Sequence, residues 1–422
     1  MTQTPSSRAF WPVVLLAAAV LMITMGARQS LGLFVSPLNT ATGLGIASIS
    51  LAMAVGQFIW GAVQPIAGAV ADRYGPGRVL AAGTIVLAIG YATTPYMSSS
   101  FGLMMTIGVL TAAGSGAGSF SVLIGAAAQR LPGDKRGMAA GIINAGGSFG
   151  QFLFAPLLQK LISVFGWMGA MWSMAVITLF ALPMSWMLRK RPAATKKADS
   201  SNAANAGTGA ASGPIAADGG IRKAIRIALA DRSYLLLHAG FFTCGFHIAF
   251  LVTHLPGEVQ LCGLPPNVAS WSLAIIGLAN IVGSLLAGWG TGRYRSKYIL
   301  AAMYASRAVL IAVYLLSPKT EATFYLFAAG LGLTWLATVP PTAGIVGKLY
   351  GTRYLSTLFG LTLLSHQVGG FFGAWLGGIA ISRQGNYDWM WYADIVLALL
   401  AALCNLPIRE APVARIGTLK AA

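Results

Sequence analysis

From Trp11 to about Leu406 the chain alternates between long apolar blocks, almost free of charge, and short polar stretches. An α-helix needs roughly 20 consecutive apolar residues to cross the hydrocarbon core of a bilayer. Twelve blocks approach or exceed that length, near 11–35, 47–71, 79–97, 101–129, 137–161, 167–188, 233–256, 267–290, 297–317, 322–347, 354–381 and 387–408, numbered here as spans 1 to 12. Only 9% of residues are charged, against about 25% in a soluble domain. A soluble core could not hide that much apolar surface behind so few polar side chains. A soluble enzyme, a secreted disulfide scaffold and a disordered chain are thereby excluded. The 52 glycines suit helices that approach closely in lipid. The first block is longer than the apolar region of a signal peptide and lacks a convincing cleavage site. The sequence reads as an all-α polytopic membrane protein.

A net charge of +18 would suggest nucleic acid in a soluble protein. Here its placement gives another meaning. If the N-terminus is cytoplasmic, 23 of the 28 Lys and Arg fall in cytoplasmic segments. Three lie outside (Lys160, Lys319, Arg383) and two within spans (Arg28, Arg307). That skew follows the positive-inside rule. It places both termini in the cytoplasm and the chain in the plasma membrane, the inner membrane if bacterial, with the lipid bilayer and not nucleic acid as its partner. Cys244 and Cys404 sit in apolar spans and Cys262 in a short loop, so no disulfide framework is implied.

The longest polar stretch, 189–232, separates residues 1–188 from residues 233–422, each side holding six spans. Its middle is rich in Ala, Gly, Ser and Asn and reads as a flexible linker. Its end, Ile221 to Leu229, has the pattern of a basic amphipathic helix on the inner leaflet. The two halves repeat weakly. An offset of 219 aligns Met25-Gly26-Ala27-Arg28 with Cys244-Gly245-Phe246-His247, and Gly150 with Gly369. Two parallel six-helix repeats place a substrate site between the halves, near the bilayer midplane.

Gly68-Ala69-Val70-Ala71-Asp72-Arg73-Tyr74-Gly75, followed by Arg78, forms a G-x-x-x-D-R-x-G loop between spans 2 and 3. It resembles the signature loop of the major facilitator superfamily. Gly68 would allow close helix approach, while Asp72, Arg73 and Arg78 would latch one conformation. The second half keeps Gly288, Arg293 and Tyr294 but has Gly292 where the Asp would stand. Gly26 to Phe34 in span 1 and Gly133 to Gly141 entering span 5 resemble the branch of monocarboxylate porters and oxalate/formate antiporters. Where animal members of that branch carry an Asp/Arg pair in span 8, this chain has Asn280 and Ser284. The resemblance implies the twelve-helix major facilitator fold and a secondary transporter of small organic anions, functional as a monomer.

Ionisable side chains inside a membrane are costly and mark function by default. Arg28 suits bidentate recognition of a carboxylate, and Gln29 and Ser30 beside it suit a wet cavity. His247, its counterpart in the repeat, is expected to face it across the cavity and to carry a titratable proton. His366 and Asp394 are further candidates for proton coupling, with Asp394 on a peripheral helix and the core spans otherwise free of acids. Asn144, Trp335 and Gln367 complete the expected substrate contacts. His254 and Arg307 read as structural. The pair Pro340-Pro341 predicts a break in span 10. No metal constellation, phosphate loop or catalytic triad is legible, so no cofactor, metal or enzyme activity is expected. The reading is proton-coupled uptake or exchange of a mono- or dicarboxylate. A drug/proton efflux pump is the alternative of the same fold, and a membrane sensor that transports nothing is the more distant one. Since a Gly/Ala/Ser-rich chain tethers rather than packs, deleting a stretch within Asn202–Gly219 should leave uptake by the full-length protein within about twofold of wild type. Uptake per folded molecule checks this.

Overall fold

The structure, a computed structural model, describes residues 10–128, 136–188, 220–351 and 355–412, and every element among them is helical. Span 1 is Phe10–Gln29, continued after a short 3-10 turn by Val35–Thr42. Span 2 is Ile46–Tyr74 and span 3 is Pro76–Thr93. Span 4 runs from Ser100 through a π-helical stretch, Met104–Thr111, to Ala117, with Phe120–Ala128 beyond it. Spans 5 and 6 follow without a loop in Arg136–Leu179, and the chain turns between them at Gly166, whose φ of 68° favours glycine. A basic helix, Gly220–Ala230, precedes span 7, Arg232–Leu261. Spans 8 and 9 are Pro266–Thr291 and Ser296–Leu316. Span 10 is split into Glu321–Thr334 and Val339–Tyr350. Span 11 is Leu355–Gln384 and span 12 is Asp388–Asn405.

The helices group into two units, Met1–Leu44 with Ile59–Gly209, and Gly45–Phe58 with Ala210–Ala422. Residues 45–58, the first part of span 2, belong to the second unit, where Ala54 packs with Ala249 and Ala374. Polarity is distributed as in a membrane protein. Large apolar side chains such as Val176, Leu285, Leu326 and Leu399 are exposed, while Arg307, His247 and Asp394 are buried. Lipid accepts the former, and protein must satisfy the latter.

Each unit holds its first and fifth helices together through glycine. In the first unit, Gly26 of span 1 lies against Gly150 of span 5; a Cβ on Gly26 would stand 2.6 Å from the Gly150 carbonyl oxygen. In the second unit, Gly245 of span 7 abuts the His366 backbone, and Gly369 of span 11 abuts that of Phe242. Gly245 and Gly369 are the positions that the repeat aligns with Gly26 and Gly150, so the two units share one packing device. Without side chains the backbones approach closely, which drives helix association in lipid. Gly150→Ala should destabilise the protein by about 1–3 kcal/mol, the typical cost of overpacking, because its methyl meets the Met22 backbone. A lower midpoint in thermal unfolding of detergent-solubilised protein is the check.

One end of the second unit is tied by the segment after span 12. Glu410 accepts a hydrogen bond from the Lys297 backbone N–H and another from Lys348 Nζ, both at 2.7 Å. Burial alone would raise the Glu410 carboxyl, but these donors outweigh it and hold the group below its ordinary range. Arg409 Nη2 lies 3.5 Å from Asp231 Oδ1, and Asp231 caps the start of span 7 through Ser233 N at 2.8 Å. The basic helix packs on the same unit through Ala224 and Ala228, leaving Arg222, Lys223 and Arg226 exposed.

Candidate functional site

In the first unit the polar features gather around the end of the first helix of span 1. Ser30 Oγ donates to the Gly26 carbonyl at 2.9 Å, and the helix gives way to a 3-10 turn. Arg28 sits just before this change, half-buried, with its guanidinium carbon 4.4 Å from the ring centroid of Trp60 in span 2. A guanidinium over an aromatic face gains a cation–π contact. Tyr91 of span 3 lies within electrostatic reach of Arg28. The Tyr91 hydroxyl, Trp60 Nε1, Gln29 Oε1 and both polar atoms of the Gln151 side chain are buried without a hydrogen-bond partner in the structure. Such groups cost free energy unless water or a ligand completes them. Asn144, on the same helix as Gln151, is half-buried.

In the second unit several polar residues bond one another, while His247 Nε2, His366 Nε2 and Trp335 Nε1 are buried without a hydrogen-bond partner among the described residues. Span 10 breaks after Thr334, and Arg307 of span 9 fills the break. Its Nη2 donates to the Thr334 carbonyl and, at 2.8 Å, to the Trp335 carbonyl, while Nε donates to Thr334 Oγ1 at 3.3 Å. Arg307 Nη1 lies 3.4 Å from Cys244 Sγ. Asn280 of span 8 accepts the Leu336 N–H at 2.9 Å and the Ser284 hydroxyl at 3.3 Å, capping the second side of the break. Thus the span 8 positions where a charged pair would stand stabilise exposed backbone instead. Pro340 and Pro341 start the following helix, where a missing N–H costs nothing.

His247 Nδ1 is hydrogen-bonded to Asp394 Oδ2. Both are buried, at 1% and 0% exposure. Trp335 stands edge-on to the imidazole with ring centroids 6.1 Å apart. His254 Nε2 meets the Ala374 carbonyl at 2.7 Å and Nδ1 lies 3.3 Å from the Tyr387 hydroxyl, a fully bonded ring. Gln367 Nε2 lies 3.3 Å from His366 Nδ1.

The sequence model of the Major Facilitator Superfamily matches residues 16–374, with a second match over 261–421. The chain belongs to this superfamily. Membership makes it a membrane transporter. It is 24% identical to monocarboxylate transporter 13 of Rattus norvegicus, over 92% of this chain and 86% of that one. To the oxalate:formate antiporter of Oxalobacter formigenes it is 22% identical, over 90% and 86%. A D-xylose-proton symporter has the same fold, with a TM-score of 0.74 at 14% identity over 95% of this chain and 98% of that one.

Asp394, on peripheral span 12, bonds His247 of span 7. Against the expectations from sequence, this major facilitator protein differs in two places. The core spans are not otherwise free of acids. Span 7 continues through Pro256 to Leu261, and Glu258 is buried there, accepting the Tyr314 hydroxyl at 2.7 Å. Among the described residues Gly68 makes no close helix contact, since a Cβ there would meet nothing within 4 Å and the neighbouring Ile66, Ala69 and Val70 are exposed. Arg78 is exposed, and the side chains of Asp72 and Arg73 lie outside the described residues. Gln29 and Trp335 are buried. Tyr91 was not singled out from sequence; an aromatic in an apolar span gives no signal of its own.

Proposed function

We propose that the protein moves a small organic anion, a mono- or dicarboxylate, across the membrane by alternating access, either with a proton or in exchange for a second anion. The observation that carries this reading is Arg28. It places a permanent positive charge inside span 1, over Trp60 and near Tyr91, whose Nε1 and hydroxyl are buried without a hydrogen-bond partner among the described residues. A guanidinium binds a carboxylate through two parallel hydrogen bonds, and neutral N–H and O–H donors can complete the remaining lone pairs. The names of the relatives, a monocarboxylate transporter and an oxalate:formate antiporter, support the same class of cargo. The charge skew supports cytoplasmic termini and a place in the plasma membrane. Counterflow in proteoliposomes with labelled mono- and dicarboxylates tests the reading. Exchange of at least one labelled acid, competed by its unlabelled form but not by a sugar or a cationic dye, is expected. Exchange of the dye and of no acid would favour the efflux alternative.

A further inference from the structure

Deep in the second unit lies a group of charges for which anion recognition at Arg28 has no use. An ionised carboxylate can only accept hydrogen bonds, so the His247–Asp394 contact makes His247 Nδ1 the donor. That donation fixes the tautomer and leaves Nε2 with a lone pair. Nε2 is buried and has no hydrogen-bond partner in the structure. Arg307 is within electrostatic reach of Asp394 as well.

The titratable and charged groups linked to His247, or to Cys244 one turn before it on the same helix, come from four helices. Asp394 is on span 12, Arg307 and Tyr304 on span 9, Cys244 on span 7 itself, and His366 on span 11. Span 10 brings Trp335 and Thr338, and span 8 brings Asn280, none of which titrates in the physiological range. Asp394 is therefore the one carboxylate that can hold an imidazolium here.

The geometry points to a proton-binding site in the second unit, with His247 Nε2 as the accepting atom and Asp394 as the residue that orients and compensates it. The step is a simple transfer: a proton leaves water and bonds to Nε2, His247 becomes an imidazolium, and Asp394 stays ionised. Trp335, edge-on to the imidazole, lies at the break in span 10, where Arg307 donates to the Thr334 and Trp335 carbonyls. Helix breaks of this kind are where transporters bend. The proton site stands on its own geometry; its coupling to cargo rests on the anion reading.

Two measurements on full-length protein separate the site from that reading. In the first, proton uptake by purified protein in unbuffered detergent solution is counted between about pH 8 and pH 5, where an imidazole titrates. His247→Gln should bind one proton fewer than wild type, since Gln keeps a donor for Asp394 but cannot titrate. Asp394→Asn should lose the same proton, because an imidazolium beside Arg307 would then be uncompensated. His254→Gln, outside the group, should match wild type. His247→Asn serves as a second variant if His247→Gln fails to elute as a single species. In the second measurement, labelled lactate and oxalate are followed in proteoliposomes under a pH gradient. For His247→Gln, accumulation normalised to its own counterflow rate should fall at least tenfold. An unchanged proton count in both His247 variants would overturn the site, whatever the transport result. A missing proton together with no movement of either acid by wild type would keep the site and sink the anion reading. Accumulation by His247→Gln with the pH dependence of wild type would overturn the coupling.

Discussion

Arg28→Gln is expected to lower counterflow of the transported carboxylate by about 100-fold or more, at equal amounts of folded protein in the membrane. A hydrogen bond to a charged group contributes about 1.5–3 kcal/mol, and a bidentate contact contains two of them. Losing both costs at least ~3 kcal/mol, and each 1.4 kcal/mol is a factor of ten. The desolvation of the anion adds to the loss, because nothing else in the described part of the first unit offers it a full positive charge inside a span. Arg28→Lys should also be impaired, by about tenfold or more. An ammonium keeps the charge but cannot form the planar fork or lie flat on Trp60 in the same way. The reverse order, with Lys worse than Gln, would show that shape at this position matters and charge does not. Wild-type exchange in Arg28→Gln would remove Arg28 from the anion site. Trp60→Phe separates the two contributions of that ring. It keeps an aromatic face under the guanidinium and removes the Nε1 donor, so any weakening of exchange measures the donor.

The spans were legible because crossing a bilayer imposes a bulk property, a run of apolar residues, that survives any detail of packing. Their ends were less so. Pro256 marks a stop in a soluble helix, yet span 7 runs five residues further, since neighbouring helices in a membrane protein re-satisfy the backbone groups that proline frees. The span 10 break was foreseen from Pro340-Pro341, but it lies one turn earlier, at Trp335–Thr338. Proline fits the first turn of a new helix, and its constraint falls on the residues before it. Arg28 stood out from sequence because an intramembrane charge is rare. The partners of the buried histidines did not. His247 and Asp394 are separated by 147 positions, and hydropathy carries no information on which face of span 12 turns toward span 7. Tyr91 and Gln151 were hidden, or only half seen, for a related reason. An unsatisfied polar atom is a property of its surroundings, which one sequence does not contain.

Removing Arg307 should harm the fold more than any other single change in the second unit. Arg307→Met leaves a side chain of similar length but takes the donors from the Thr334 and Trp335 carbonyls and the cation from Asp394. Each buried acceptor left without a donor costs about 1–3 kcal/mol, and two carbonyls lose theirs. That is a large share of a typical folding free energy of about 5–15 kcal/mol. The expected result is little monodisperse protein at ordinary growth temperature, and a sharply lower unfolding midpoint in what survives. The cause can be resolved with a second change. Asp394→Asn removes the opposite charge, so the double variant Arg307→Met/Asp394→Asn carries no unbalanced ion. If electrostatics dominates, the double variant should be more stable than Arg307→Met alone, with a coupling well above the ~0.5 kcal/mol scatter of independent sites. If the lost carbonyl contacts dominate instead, the two changes should be additive, and adding Asp394→Asn would make matters worse.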